Sequence, residues 1–425
     1  MTRIAVVGGG LAGLVAARHL AEAGLDVELF EEEPAVGGRV RSVHEDGFTF
    51  DRGFQVLFTG YPAAQRELDY DALDLRAFTP GATIARPGER SVLSDPLRDP
   101  GSFTETVFNR EIRLGDKLRT FTLQRELRRK DEDAVLDGPD TDITSYLADR
   151  GFSRDYVEHF AAPFYGGITL DRSLSSSSVV FEYTFKMLAT GETVVPAAGM
   201  GAISAQLADR ARDAGASLTL DATVSAVESD DDGDGVTLTV DGREASFDGA
   251  VVATDPKTAG ELTGVDTPTE ARGCVTQYFS LPEHVDLATD KRIVLNAADD
   301  RPNQVAPLTD VAPEYAPDGE QLLSATFLGD PDESDDELAA AVHDALASWY
   351  PARRFADLDL LRTERVPFSQ FAQPPGFRRD LPAVDAPAGP VYLAGDYTEW
   401  SSINGALDSG KQAADAILTE IDRSA

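Results

Sequence analysis

The chain has 425 residues but only one cysteine and five histidines. A single cysteine, Cys274, excludes a disulfide framework within the chain and suits a reducing compartment, so we expect a cytoplasmic protein. No cysteines and histidines are spaced as metal ligands are, and no metal site is predicted. Apolar runs are also short, and none approaches the ~18 residues that a membrane-spanning helix requires.

Positive charge is scarce as well. Lysine and arginine total 38 against 74 aspartates and glutamates, which gives a formal net charge of −36. Such acidity argues against nucleic acid as a partner, and it disfavours binding to anionic lipid through basic patches. A uniformly acidic surface suits concentrated salt, because salt screens its self-repulsion. We therefore hypothesise a halophilic protein that works in a salt-rich cytoplasm.

Glycine, in contrast, is concentrated near the start of the chain. Residues 4–13 read IAVVGGGLAG, in which four strand formers lead into a G-x-G-x-x-G turn and an alanine-rich helix. Gly8 permits the tight turn, Gly10 lets a pyrophosphate approach the backbone, and Gly13 lets the helix lie close to the strand. N–H groups at the helix start then face the phosphates, and we count Ala12 with the glycines among the cofactor-binding residues.

A carboxylate, Glu31, and an arginine, Arg39, follow this turn at positions that suit contacts with a dinucleotide. The second predicted strand, 26–31, ends on Glu31, whose carboxylate comes within reach of an adenosine ribose. A glycine pair ending in Gly38 precedes Arg39, whose planar guanidinium can neutralise a diphosphate. The spacing from Glu31 to this arginine resembles the E-x5-G-G-R element of FAD-dependent amine oxidases, protoporphyrinogen oxidases and phytoene desaturases. The resemblance implies FAD as the cofactor.

Two further segments resemble the same superfamily. Residues 48–55, FTFDRGFQ, look like its F-D-x-G element, which implies that Gly53 and Phe54 pass near the flavin ring. Residues 194–203 look like its P-x-G-G-M turn into a helix. Val224 matches the position at which family members pair backbone groups with adenine.

The end of the chain carries a second strand-to-helix turn. Residues 391–396 predict a strand that ends on Gly395 and Asp396, and a helix follows. The carboxylate can bind ribityl hydroxyls, and the helix N-terminus points at the flavin edge that becomes negative on reduction. The segment resembles the G-D-Y-T…E-G-A-x-x-S-G ending of plant-type phytoene desaturases, with Ile403 before Asn404, which replaces the usual glutamate. Neither end of the chain has a cysteine, so FAD is expected to bind non-covalently.

These segments predict an α/β fold class, with a Rossmann-like FAD-binding domain and a second α+β substrate domain built on an antiparallel sheet plus helices. The FAD-binding domain is predicted to be discontinuous and to comprise residues 1–60, 191–262 and 385–425. Residues 61–190 and 263–384 are assigned to the substrate-binding domain.

The first substrate-domain segment predicts helices and few strands between residues 62 and 190. Residues 102–130 predict one or two helices that could serve as a lid, as a surface that meets a membrane, or as ordinary core. Residues 152–178 are aromatic and glycine-rich and resemble a segment of protoporphyrinogen oxidases. Residues 179–188 give an apolar wall that a substrate cavity and a helical core would need equally. Peripheral membrane contact is therefore left open.

The resemblance implies an FAD-dependent oxidoreductase that takes a hydride from a C–H bond of a large apolar substrate onto flavin N5. The alternatives are an amine oxidase, with Tyr397 and Trp400 as hints of an aromatic cage, a non-redox flavin mutase, and a flavin-free lipid-binding protein. No catalytic side chain is assigned. His44 and His159 are weighed as cavity residues, and Lys186 as the holder of a water near N5. The sequence predicts no oligomeric state.

Overall fold

The computed structural model describes residues 2–93, 113–230 and 235–424. Short strands and helices alternate along these residues. The strands are β1 Arg3–Val7, β2 Asp26–Phe30, β3 Ser42–Glu45, β4 Phe48–Asp51, β5 Leu57–Phe58, β6 Leu75–Ala77, β7 Ala82–Arg86, β8 Glu89–Leu93, β9 Thr193–Pro196, β10 Ser217–Thr219, β11 Val224–Ser229, β12 Val236–Val240, β13 Arg243–Phe247, β14 Gly249–Val252, β15 Ala271–Pro282, β16 Val294–Asn296, β17 Gln304–Pro307, β18 Glu320–Leu328, β19 Asp359–Phe371 and β20 Val391–Leu393.

The helices fall mostly between these strands. The α-helices are α1 Leu11–Glu22, α2 Pro62–Glu67, α3 Tyr70–Leu73, α4 Leu114–Leu127, α5 Glu132–Leu136, α6 Ile143–Asp149, α7 Arg154–Tyr156, α8 Ala162–Thr169, α9 Ser178–Thr190, α10 Gly201–Asp213, α11 Pro256–Thr263, α12 Leu308–Val311, α13 Asp335–Trp349 and α14 Ile403–Ser424. A π-helical turn, Val157–Ala161, joins α7 to α8.

Five parallel strands, in the order β10-β2-β1-β14-β20, form the sheet from which the first glycine turn emerges. Val7 at the end of β1 lies beside Phe30 on one side and Val252 on the other. Val252 lies in turn beside Leu393. The carboxyl ends of these strands therefore meet at one edge, which is where open α/β sheets bind their ligands.

A seven-stranded sheet forms the second layer, in the order β19-β15-β18-β17-β16-β7-β8. Its neighbouring strands are antiparallel except for β16 and β7, which run parallel with Val294 beside Thr83. The predicted fold class, a Rossmann-like sheet with a second α+β part on an antiparallel sheet, is confirmed with this one parallel pair as a departure. The five-stranded sheet draws on all three segments assigned to the FAD-binding domain, but the division of the chain into two domains stays a prediction.

Between residues 62 and 190 the described part of the chain has many helices and few strands, as predicted, and two of those strands, β7 and β8, form a hairpin. The hairpin pairs Ala82 with Leu93 and supplies two of the seven strands of the second sheet. Its turn contains Gly88, whose φ is +73°. The sequence signal for it was the Pro87-Gly88 dipeptide, because proline and glycine together mark turns.

Two helices show how local sequence positions the layers. Helix α13 has the predicted bounds and begins at a capping box between Ser334 and Glu337. Its apolar face, which ends on Trp349, joins a cluster of buried side chains on the seven-stranded sheet. Helix α1 packs against α14 so closely that a Cβ on Gly410 would lie 2.2 Å from the carbonyl oxygen of Ala12.

Helix α4 is the described part of the stretch for which one or two helices are predicted. Residues 102–112 of that stretch lie outside the described residues. None of the helices that the structure describes is long and apolar enough to cross a membrane.

Candidate active site

A cavity of about 1120 Å³ runs from the carboxyl edge of the five-stranded sheet to helices α4, α8 and α9. Its two ends differ in chemistry. The first is lined by glycine turns and charged side chains, and the second by aromatic and aliphatic side chains. Such a division suits a polar cofactor at one end and an apolar molecule at the other.

The glycine turn between β1 and α1 forms the floor of the first end. A Cβ on Gly8, whose φ is +106°, would lie 2.7 Å from the carbonyl oxygen of Ala253. A Cβ on Gly13 would lie 2.0 Å from the carbonyl oxygen of Gly8, so Gly13 serves packing and is not among the lining residues. A Cβ on Gly10 would meet no described atom within 4 Å.

Gly10 and Ala12 both line the cavity, at a helix start that has no side-chain cap. A space that a Cβ would fill, next to N–H groups of an uncapped helix, is what a pyrophosphate requires. The turn therefore fits the dinucleotide that the sequence predicts.

Glu31 and Val224 line the cavity beside this turn. The Glu31 carboxylate is buried and accepts the Gly9 N–H at 2.6 Å and the Glu33 N–H at 3.0 Å. A carboxylate has about four lone-pair sites, so it can still accept a ribose hydroxyl. The predicted adenosine contacts of both residues are compatible with this placement and remain predictions.

Arg39 and Asp396 also line the cavity, and they bond to each other. The Arg39 guanidinium donates to Asp396 Oδ1 at 2.7 Å and to the Ser369 carbonyl at 2.9 Å. Ser401 Oγ donates to Asp396 Oδ2 at 2.8 Å. Although burial disfavours its charge, the Asp396 carboxylate raises the pKa of Arg39 above its usual value. The residues predicted to bind diphosphate and ribityl groups thus form one charged pair with donors and lone pairs to spare.

The other glycines that the sequence singles out line the cavity too, as do Phe54 and Ile403. Gly38 and Gly53 both have positive φ, at +55° and +83°. A Cβ on Gly395 would lie 2.2 Å from the ring of Tyr397. These positions therefore strongly favour glycine over residues with a side chain. This agrees with turns that bring the backbone close to a ligand.

Asn404 is placed differently from the prediction. It is buried but is not among the described residues that line the cavity. Its Oδ1 accepts the Ala63 N–H at 3.0 Å, and its Nδ2 lies 3.4 Å from the Tyr183 hydroxyl. In this arrangement Asn404 ties α14 to the start of α2, because the first N–H groups of a helix need outside acceptors.

Asp51 and Arg52, in the segment that resembles F-D-x-G, lie on opposite sides of the cavity wall. Arg52 lines the cavity and donates to the Gly38 carbonyl at 3.2 Å. Asp51 is buried behind the wall, where it accepts hydrogen bonds from Ser42 and from the Met200 N–H. Burial raises the pKa of Asp51 to about 6, although those hydrogen bonds oppose the shift.

The second end of the cavity is apolar. Helices α4, α8 and α9, the π-helical turn and the loops beside β7 supply its lining. Its aromatic and aliphatic residues include Phe58, Tyr61, Phe78, Leu93, Leu118, Phe121, Tyr156, Phe160, Phe164, Tyr165, Ile168, Val180, Phe185, Leu188, Ile293 and Leu295. Stretches 152–178 and 179–188 therefore contribute to a cavity as well as to core.

The three side chains weighed as catalytic groups lie elsewhere. None of His44, His159 and Lys186 is among the described residues that line the cavity. His44 lies 3.1 Å from Thr49 Oγ1, and His159 contacts Arg86. The Lys186 ammonium donates to backbone carbonyls just beyond and at the end of α4.

Tyr397 and Trp400, the two residues that hint at an aromatic cage, differ in where they lie. The Tyr397 hydroxyl is buried and donates to the Val252 carbonyl at 3.2 Å, whereas Trp400 lines the cavity. The Trp400 ring stands edge-on to Tyr61, which also lines the cavity, at 6.2 Å. Tyr61 and Trp400 therefore give the cavity one aromatic pair of the kind that an amine oxidase would need.

Sequence reasoning missed several polar residues of the cavity. Arg41 and Gln55 line the first end, and Gln370 and Gln373 line the junction of the two ends. The glutamines stand in a segment whose only sequence signal is its place before the last cofactor strand. Cys274 lines the cavity as well; burial raises the pKa of its thiol, so it is a poor nucleophile for a covalent link.

Known proteins share both sequence and fold with this chain. It is 30% identical over 165 residues to protoporphyrinogen oxidase 2 of Arabidopsis thaliana, which covers 39% of this chain and 32% of that protein. It is 30% identical over 277 residues to phytoene dehydrogenase of Streptomyces griseus. This second match covers 59% of this chain and 54% of that protein. The matched parts thus span between a third and about half of these relatives. An oxidoreductase from Methanosarcina mazei shares the fold, with a TM-score of 0.75 and 18% identity over 97% of this chain and 100% of that one.

The sequence profile described as flavin containing amine oxidoreductase matches residues 11–418, which is nearly the whole chain. That match begins at Leu11, just after Gly8 and Gly10, and it includes Arg39 and the final strand-to-helix turn. The chain therefore belongs to the flavin-containing amine oxidoreductase family and is an FAD-dependent oxidoreductase.

Proposed function

We propose that the protein takes a hydride from a C–H bond of a large apolar substrate, as a desaturase or protoporphyrinogen oxidase does, and passes it to N5 of FAD. The observation that carries this proposal is the cavity, which continues from the glycine turn into an apolar compartment. Its volume of about 1120 Å³ is slightly above the usual range for ligand sites, which is roughly 300–1,000 Å³. A site that holds a dinucleotide and a second large molecule needs such a volume.

The chain's own residues would bind and orient both molecules. When bound, FAD supplies the acceptor for a hydride and its electron pair. The glycine turn, Glu31 and the Arg39–Asp396 pair would hold the dinucleotide non-covalently. Phe160, Phe164 and Phe185 would bury the substrate and exclude water.

No histidine is found among the described residues that line the cavity. The side chains that line the cavity would hold the substrate in position. One substrate carbon would lose a hydride, its neighbour would lose a proton to solvent, and a double bond would form between them. Bound FAD would supply the acceptor for the two electrons. The names of two relatives, protoporphyrinogen oxidase and phytoene dehydrogenase, point to the same class of substrate.

An amine oxidase is the second candidate, because Trp400 and Tyr61 both line the cavity. A primary or secondary amine would then be the hydride donor. Because the family is one of oxidoreductases, a non-redox mutase and a flavin-free lipid-binding protein are not retained as readings of this chain.

Turnover of a substrate panel tests the proposal. Holoenzyme in high salt is incubated with a polyene, a porphyrinogen or an amine and an artificial electron acceptor, and the products are identified by mass spectrometry. We expect a product that has lost two hydrogens from one of the apolar substrates and no product from the amine. Oxidation of the amine alone would overturn the proposal in favour of the second candidate.

We also propose that helix α4 contacts a zwitterionic lipid surface. Leu118 and Phe121 are 61% and 48% exposed, yet both also line the cavity. Lys117 and Arg119 stand on either side of Leu118 in an otherwise acidic chain and can approach lipid phosphates. An apolar substrate dissolved in a bilayer could then enter the cavity without crossing water. Cytoplasmic location stays a prediction.

A further inference from the structure

The segment at the end of β19 contacts both ends of the cavity. The Ser369 carbonyl accepts a hydrogen bond from Arg39 at 2.9 Å. Gln370 follows Ser369 directly, and its side chain bonds to that of Gln373, with Gln373 Nε2 donating to Gln370 Oε1 at 3.4 Å. Ser369, Gln370 and Gln373 all line the cavity. One short segment thus lies between the predicted cofactor contacts and the apolar compartment.

On the cofactor side, this glutamine pair continues into the Arg39–Asp396 pair. Gln373 Oε1 accepts the Ser401 N–H at 3.0 Å. The same Ser401 donates its hydroxyl to Asp396 at 2.8 Å, and Asp396 accepts from Arg39 at 2.7 Å. A chain of hydrogen bonds therefore runs from Arg39 through Asp396 and Ser401 to Gln373 Oε1.

On the substrate side, the pair ends on the aromatic wall, by which we mean residues 157–169, the π-helical turn and α8. Gln370 Nε2 donates to the Ile168 carbonyl at 2.9 Å. Ile168 lies in the last turn of α8, where carbonyls have no partner within the helix. Gln370 therefore caps this helix from outside, and its position sets the position of the helix end.

Two features of the aromatic wall make its order dependent on this cap. Phe160, Phe164 and Ile168 line the cavity, so on that side the wall has fewer protein neighbours than a helix packed on both sides has. The wall also contains a π-helical turn, a conformation that is rare and occurs often at functional sites. Segments with few packed contacts open more readily than the core does.

We infer that Gln370 and Gln373 are positioning residues that couple occupancy of the cofactor end to the order of the aromatic wall. Binding of FAD at Asp396 and Arg39 fixes Ser401, Gln373 and Gln370 in turn and holds the end of α8 in place. By linkage, FAD raises the affinity for a substrate that orders the wall, and that substrate raises the affinity for FAD by an equal factor. The inference rests on the proposed placement of FAD at these residues.

Amide hydrogen exchange with and without added FAD tests the coupling, and it needs no substrate. In the wild-type protein we expect FAD to slow exchange in residues 157–169 by roughly tenfold, a moderate coupling. Gln373→Glu keeps the acceptor for Ser401 but removes the donor to Gln370. This variant should bind FAD with a dissociation constant within about twofold of wild type, yet lose the FAD-dependent protection of the wall.

Two further variants separate coupling from a general loss of structure. Gln370→Leu cuts the same pair from the other side and also uncaps α8, so the wall should exchange fast with or without FAD. Gln65→Leu is the matched control, because exposed Gln65 also donates its amide to a backbone carbonyl, that of Thr59 at 2.8 Å. It should keep the wild-type response to FAD.

The outcomes distinguish this inference from the cofactor assignment. If the wild-type protein binds FAD and exchange in the wall does not change, the coupling does not exist, and the same holds if Gln373→Glu keeps full protection. If the wild-type protein binds no FAD, the cofactor assignment itself fails, and that result is read from the binding measurement rather than from exchange.

Discussion

At the scale of single residues, the three glycines of the first turn have separable tasks. Gly8 and Gly13 are required by the protein itself, since a Cβ on either would strike backbone within 2.7 Å. Gly10 has an ordinary φ of −74° and open space where its Cβ would stand, so only a ligand requires it to be glycine. Substitution can therefore distinguish folding from cofactor binding.

Gly10→Ala should weaken FAD binding at least ~10-fold, because the methyl group occupies pyrophosphate space, and cost less than about 1 kcal/mol of unfolding free energy. Gly8→Ala should instead cost at least ~2 kcal/mol, because it combines positive φ with a clash. Flavin fluorescence quenching and denaturant unfolding in high salt measure the two effects. Equal FAD affinity for Gly10→Ala and wild type would show that no pyrophosphate approaches this turn.

Asp51 gives a prediction about pH. Burial raises the pKa of Asp51 to about 6 in the folded protein, against about 3.9 when unfolded. The folded state therefore binds more protons between these values, and the contribution of Asp51 to stability falls as pH rises through that window. Asp51→Asn removes this loss, so its stability relative to wild type should rise by up to ~3 kcal/mol from pH 4 to pH 7.

Denaturant unfolding of both proteins at matched ionic strength measures this difference, and taking the difference cancels the titration of the other carboxylates. Ser42→Ala is a useful companion, since it removes a hydrogen bond to Asp51 but leaves the buried carboxyl in place. A stability difference that stays flat or falls across the window would contradict the assigned direction.

The residue scale also shows what sequence could and could not predict. The glycine turn was predictable because its spacing is local and each position has its own steric requirement. The bond between Arg39 and Asp396 joins residues 357 positions apart, and no local pattern reports it. Asn404 stands at a family position, but the Ala63 N–H that it satisfies becomes its neighbour only in the folded chain.

At the scale of elements, helix α9 positions a buried lysine away from the cavity. Lys186 Nζ donates to the carbonyls of Lys130 at 3.0 Å and Leu127 at 3.4 Å, which holds α9 against the end of α4. Lys186→Met should lower the unfolding free energy by about 1–2 kcal/mol, because buried carbonyls lose a donor.

The same variant should leave the rate of anaerobic flavin reduction within about twofold of wild type, since Lys186 does not touch the reacting atoms. Lys186→Arg serves as the control that keeps the charge. A large fall in the reduction rate of the methionine variant with its stability intact would place this lysine in the chemistry after all.

Helix α4 carries the prediction about lipid. Replacing Leu118 and Phe121 by serine should lower binding to phosphatidylcholine vesicles at least ~10-fold, because two apolar side chains no longer enter the interface. Leu361→Ser, which removes an exposed leucine on β19, should bind as wild type does. Co-sedimentation in high salt measures the bound fraction. Equal binding by the double variant and wild type would exclude α4 as the contact.

Elements differed in how well their sequence predicted them. Helix α13 has a capping box and an apolar stripe, and its bounds were predictable to the residue. The hairpin of β7 and β8 was not, because its strands are only five residues each and it joins the sheet through the pairing of β7 with β16, which lies about 200 positions further along the chain.

At the scale of the whole molecule, the net charge gives a prediction about stability. A net charge of −36 on one chain creates repulsion that opposes the compact state. At 1 M salt the screening length falls to about 3 Å, so most of that repulsion disappears. We expect the thermal midpoint to rise by at least ~10 °C between 0.1 and 2 M KCl.

Sucrose at matched water activity is the control, because it acts by exclusion from the surface and leaves charges unscreened. Circular dichroism follows the transition. A thermal midpoint that is independent of KCl, or raised as much by sucrose, would contradict the halophilic hypothesis.

The central claim concerns the whole cavity, with FAD at one end and an apolar hydride donor at the other. Its most direct test is a single anaerobic titration of the holoenzyme, followed at the ~450 nm band of oxidised flavin. Our account predicts that a polyene or a porphyrinogen bleaches this band and that amines leave it unchanged. Bleaching by amines, with none by either apolar donor, would contradict it.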